Sequence, residues 1–188
     1  FFTPMSLMLF FRNFITTILV VYLPTYMSLR GANLWLSGAS LSILEFAGVA
    51  GALFAGSISD RLGRKSVLVT AFGLSFVCLV WFLHSSGGTL VIALLVLGFA
   101  TIATGPIYLA IVQENFPQNR AVANGIYMAS SFLLTSLTTL IIGIVGDQIG
   151  LERTFFWSGV ISLLAIPMVF LLPTMSHEND RIPTAVEV

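Results

Sequence analysis

Gly56-Ser57-Ile58-Ser59-Asp60-Arg61-Leu62-Gly63-Arg64-Lys65-Ser66 is a charged, glycine-bearing stretch between two apolar runs, and its surroundings decide the fold class. Of the 188 residues, 57% are apolar and only 9% are charged, with a mean hydropathy of +0.99. Soluble domains carry about 25% charge, so this composition reads as an integral membrane protein. A short charged segment between apolar runs is then a tight turn at a membrane surface.

A hydrocarbon core of about 30 Å needs about 20 apolar residues per helix, which leaves room for about six spans. Six runs fit, at 5–28, 39–58, 66–84, 89–112, 122–145 and 154–173. Lipid admits only helices or closed barrels, and runs this long and continuous are helices. The expected fold is therefore all-α, with a six-helix membrane domain over 1–173 and a polar cytoplasmic tail over 174–188. Lys and Arg concentrate in the second and fourth loops and the tail (Arg61, Arg64, Lys65, Arg120, Arg181), against Arg30 and Arg153 in the first and fifth. The positive-inside rule places those loops and both termini in the cytoplasm, and the membrane expected is the plasma (inner) membrane.

Several classes drop out. A net charge of zero gives no excess of cations for nucleic acid. The single cysteine, Cys78, lies in an apolar run and forms no internal disulfide. His84 and His177 are isolated, no metal-ligand spacing exists and no cofactor is expected. An intramembrane hydrolase built on Ser40 and His84 lacks an oxyanion-hole candidate. The Gly63-Arg64-Lys65-Ser66 segment lacks the spacing of a phosphate-binding loop.

At an offset of 87 residues, Gly38, Gly56, Asp60 and Gly63 align with Gly125, Gly143, Asp147 and Gly150. Three helices repeated an odd number of spans later have reversed orientation, so the expectation is a 3+3 inverted repeat over about 5–84 and 89–173. Asp60 falls at a helix C-terminus, where the macrodipole disfavours a carboxylate, and Arg64 or Arg61 is positioned to neutralise it. Gly63 supplies the backbone freedom to reverse the chain, and Gly56 is expected to admit a neighbouring helix.

The pattern Gly56, Asp60, Arg61, Gly63, Arg64, Lys65 closely resembles the signature between the second and third helices of each half of the major facilitator superfamily of transporters. The segment Glu114-Asn115-Phe116-Pro117 through Arg120 and Gly125 also looks like the entry to the fifth helix of such a half. The resemblance implies half of a twelve-helix secondary active transporter, and 3+3 repeats within these halves are themselves a worked instance of the inverted-repeat rule. It also implies that the charged motif staples the two halves together when the outer side is open. Phe1 is not Met and the tail is polar, so the expectation is the C-terminal half, paired with a second half that completes the machine. The alternative is a self-contained six-helix protein that dimerises into a carrier or channel, or a transporter-like sensor.

Charged residues within spans are expensive and are functional candidates. Arg12 is expected roughly 10 Å from the cytoplasmic face at about 1.5 Å per residue, placed to meet an anionic group. Glu45, between Ile43-Leu44 and Phe46-Ala47, is a carboxylic acid able to carry a proton. The two approach from opposite faces, so no salt bridge between them is expected. The resemblance lines the central cavity with the first and fourth helices, which makes Asn13, Thr16, Thr17, Tyr22, Tyr26, Thr101, Thr104 and Tyr108 candidates. Asn124, Tyr127, Ser131 and Thr135 join them at helical spacing. Gly105-Pro106 is expected to bend the fourth helix as a hinge. The functional expectation is proton-coupled, efflux-type movement of a small organic solute or drug.

Overall fold

A computed structural model describes residues 2–172, so the expected tail lies outside the described residues. Eight helical segments make six spans: α1 Phe2–Leu29, α2 Leu34–Leu62, α3 Arg64–His84, α4 Gly88–Ile102 with α5 Gly105–Asn115, α6 Arg120–Ile149, and α7 Leu151–Ser162 with α8 Ala165–Leu171. All six spans are long and apolar enough to cross a bilayer, and no strand occurs among the described residues.

The expected loops shrink to single residues at both ends of the bundle. Asp60, Arg61 and Leu62 are the last turn of α2, and Arg64 already begins α3, so only Gly63 separates them. The Gly146 to Arg153 loop is likewise reduced to Gly150 between α6 and α7. The reason is backbone geometry: Gly63 has φ 86° and ψ 136°, and Gly150 has φ 83° and ψ 151°. This region is open essentially to glycine alone, and one such residue turns the chain without further connection. Gly63→Ala and Gly150→Ala should each destabilise by about 1–3 kcal/mol. Denaturation in SDS-containing mixed micelles checks this against Gly56→Ala, whose added methyl meets nothing within 4 Å and whose backbone is helical.

Two of the expected runs are broken. The fourth stops at Ile102 and restarts at Gly105, because the Pro106 ring opposes the carbonyl four residues earlier. The sixth run breaks at Leu163 and Leu164 for the same reason, with Pro167 just inside α8. The second helix starts at Leu34, earlier than its apolar run, because the Asn33 side chain caps it by accepting from Leu36 N at 2.7 Å.

α1 is the axis of the bundle and packs against α2, α6, α7 and α8. Its two halves belong to two apolar clusters, one around Leu19, Leu23, Phe82 and Phe155 and one around Met8, Leu68, Tyr108 and Val169. Two further seams hold the spans, and they are built differently. α2 and α4 cross at Gly48, Gly51 and Gly98, where backbones approach closely enough that Gly98 lies against the Leu44 carbonyl. Gly56, expected to admit a neighbour, faces open space in this chain; the contact falls at Gly51 and Gly48, earlier on the helix. α1 and α6 are joined instead through polar groups: Asn13 Nδ2 donates to Thr135 Oγ1 at 3.2 Å, and the Tyr22 hydroxyl donates to the Thr139 carbonyl at 3.2 Å. α6 leaves most of its length uncovered, with Val122, Phe132, Leu133 and Leu140 exposed, as are Phe46, Leu53 and Phe54 on α2.

Candidate functional site

At the Gly63 end of the bundle, four charges, Asp60, Glu114, Arg64 and Lys65, are placed where their own helix dipoles disfavour them, whereas Arg61 in the last turn of α2 is favoured. Asp60 is in the last turn of α2 and Glu114 in the last turn of α5, at negative helix ends. Arg64 and Lys65 open α3, at a positive end. Arg64 offsets both acids, and Lys65 finds a carbonyl at another helix end. Arg64 Nη2 reaches Asp60 Oδ1 at 3.2 Å, Arg64 Nε donates to both Glu114 carboxylate oxygens at 3.0 and 2.8 Å, and Arg64 Nη2 closes a further bond to Glu114 Oε1. Lys65 Nζ donates to the Leu172 carbonyl at 2.5 Å, just past the end of α8. The first turn of α3 thus ties α2, α5 and α8 together. Arg61 is exposed and makes no ion pair among the described residues.

A second polar group forms inside the spans. The Arg12 guanidinium stacks over the Tyr108 ring, 5.3 Å from its centroid, and Tyr127 on α6 lies close enough to feel its charge. Arg12 is ten residues into α1, about 15 Å along the helix at 1.5 Å per residue. It turns inward between helices. Tyr108 is fully buried, with Thr104 one turn earlier beside its hydroxyl; the Thr104 hydroxyl itself donates to the Thr101 carbonyl at 3.1 Å. Arg12 Nε and Asn124 Oδ1 are buried and without partners. Asn124 precedes Tyr127 by one turn on α6.

The remaining candidates lie elsewhere. Thr17 and Thr104 are buried in packing, and Asn13 and Tyr22 serve the α1–α6 seam. Tyr26 lies toward the Gly150 end, its ring 4.5 Å from Phe155 and 5.9 Å from Phe82, with Arg30 5.7 Å above it. It borders a cleft of about 520 Å³ that includes Arg30, Glu152 and Arg153. Glu45 is half-buried on α2 with no ion pair or hydrogen bond among the described residues, and none joins it to Arg12. Among the described residues, no group of His, Cys, Asp and Glu is arranged to hold a metal.

Sequence reasoning did not assign Glu114 to the charged motif. The signal available was an acid at the same end of the bundle as a surplus of cations, but the pairing spans 50 residues and depends on how α3 meets α5. Gly48, Gly51 and Gly98 were also missed as the close-approach set. Small-residue spacing along α2 was visible, whereas its partner helix was not.

Six apolar helices wired by a charged corner at one end, with an uncompensated cation among tyrosines inside, define a polytopic integral membrane protein. Residues 5–187 match the family model of the Major Facilitator Superfamily. The chain belongs to this superfamily of membrane transporters. No curated protein matches it.

Proposed function

We propose that this chain is one six-helix half, the C-terminal one, of a secondary active transporter that moves a small organic solute outward across the plasma membrane in exchange for protons, by alternating access. The family match over nearly the whole chain is the observation that carries this reading. On the positive-inside count the Gly63 end is cytoplasmic, as are both termini.

The inverted repeat is supported by a matching turn and matching helix neighbours in the two sets of three spans. Gly63 and Gly150, 87 residues apart, make the same one-residue turn. The repeat requires α6 to stand to α1 as α2 stands to α4, and these are two principal seams of the bundle. The uncovered apolar faces of α2 and α6 suit contact with a second half and with lipid.

For alternating access, the charged corner makes α2, α3, α5 and α8 move as one unit at the cytoplasmic side. The interruption at Ala103 and Thr104 gives the fourth span a place to flex above that unit. Arg61 is the cation of the motif left to engage the other half. Glu45 is the proton carrier, since it is a half-buried acid in an apolar helix with no cation beside it.

Proteoliposomes holding the full-length protein and a lumenal pH dye test the coupling, with ethidium and small carboxylates as probes. The expected result is solute movement accelerated by a pH gradient, with Glu45→Gln abolishing that acceleration and retaining exchange without a gradient. Equal gradient dependence in Glu45→Gln would remove the proton role.

A further inference from the structure

Arg12 is a cation inside a membrane span with no counter-carboxylate among the described residues. Both ion pairs of the described chain belong to Arg64, and the acids Asp60 and Glu114 are committed to it. A charge held within the hydrocarbon region is costly unless something neutralises it. Arg12 Nε on α1 is buried with no partner, the guanidinium lies over the fully buried Tyr108 of α5, and Asn124 Oδ1, one turn before Tyr127 on α6, is also buried without a partner. Orphaned buried donors are rare in folded proteins, and a guanidinium nitrogen left without an acceptor inside a span calls for a guest.

We infer that this cluster binds the carboxylate of a small organic acid, which names the substrate class of the transporter and rests on that reading for its purpose. A guanidinium presents a planar fork of donors that matches a carboxylate with two parallel bonds. Stacking on Tyr108 fixes the plane of the fork, and Nε is buried without a competing acceptor. The Tyr108 hydroxyl is a second donor for an anion. Asn124 Oδ1 is an acceptor and suits a hydroxyl or amide N–H next to the acid group instead. Tyr127 offers ring surface for the apolar body. Arg12, Asn124 and Tyr127 are only half-buried, so the cluster reaches the edge of the packed helices while Tyr108 forms its floor.

The seam beside it limits the ligand's size. Asn13 and Thr135 are already bonded to each other, as are Tyr22 and Thr139, so the α1–α6 contact is closed on the side away from the Gly63 end. A single aromatic or short aliphatic acid fits this setting better than an extended polyanion, which one arginine could not neutralise.

Calorimetry on the purified full-length protein tests the proposal, using benzoate, its neutral isostere benzamide and the cation benzylamine. Benzoate should bind at least tenfold more tightly than either of the others. Arg12→Gln should remove that preference, and Arg12→Lys, which keeps the charge without the fork, should weaken benzoate roughly tenfold. Equal binding of benzoate and benzamide, or benzoate affinity unchanged in Arg12→Lys, would overturn the assignment even if Arg12→Gln fails to fold. The two readings fail separately. Flux confined to neutral or cationic solutes sinks the carboxylate site and leaves transport standing, whereas benzoate held by Arg12 in a protein that moves no solute does the reverse.

Discussion

Gly98→Val is expected to collapse the yield of monodisperse, folded protein and to lower the stability of whatever survives by about 3 kcal/mol, the upper part of the overpacking range. A Cβ at position 98 would lie against the Leu44 carbonyl oxygen, 2.9 Å from Leu44 C and 3.0 Å from Leu44 Cα. These are backbone atoms in the interior of α2, and they move only if the whole helix moves. In lipid no hydrophobic force pulls two apolar helices together, so close backbone packing carries the association and its loss is not made good elsewhere. The same geometry predicts an order of effects. Gly51→Val should be nearly as harmful, since its Cβ would fall 2.5 Å from the Phe99 carbonyl oxygen. Gly48→Val should also be harmful, because its Cβ would fall 2.6 Å from Ile102 Cβ, an atom that no rotamer change of that β-branched side chain can move. Gly73→Val, which meets nothing within 4 Å on α3, should leave the protein close to wild type. Thermal unfolding in detergent, with size-exclusion profiles, measures all four, and an equal loss for Gly73 and Gly98 would contradict the seam.

The second large effect is expected from Arg64→Gln, which leaves Asp60 and Glu114 at two negative helix ends with no cation between them. Isolated surface ion pairs contribute about 0–1 kcal/mol, and dipole terms about 0.3–1 kcal/mol each. Their combination at one shared arginine, whose side chain is only 22% exposed, makes a loss of about 1–2 kcal/mol the expectation. Glu114→Gln should cost less because Asp60 then keeps Arg64 to itself. Arg64→Lys should fall between, since an ammonium cannot span both carboxylates as the fork does. The diagnostic variant is Arg64→Gln combined with Asp60→Asn and Glu114→Gln, which removes the stranded acids and should recover part of the loss. SDS unfolding of these variants in low and high salt provides the measurement. No recovery in the triple variant would mean that the corner is held by packing alone.

Much of this architecture was legible along the chain because lipid leaves so few choices. Runs of apolar residues near 20 long specify spanning helices almost without tertiary information, and the Asp60–Arg64 pair is local, one helical turn apart across a glycine. Helix ends were less legible. Hydropathy reports where lipid begins, whereas Asn33, Gly63 and Gly150 set where backbone hydrogen bonding stops, so the helices run past their apolar cores. Pro106 announced a bend beside a glycine, and Pro167 had the same effect without such a neighbour. The partners of charged groups were the hardest part. Glu114 meets Arg64, and Tyr108 lies under Arg12, only because of how α5 is rotated about its axis, a quantity that hydropathy does not encode.

The most direct measurement of the central claim is solute flux by the full-length protein in proteoliposomes, with an imposed pH gradient and with Gly98→Val as the disrupted control. The account predicts saturable movement of at least one small organic solute, faster with the gradient and absent from the control. A folded, correctly inserted wild-type protein that moves none of the neutral, cationic or carboxylate probes above the leak of empty liposomes would contradict it.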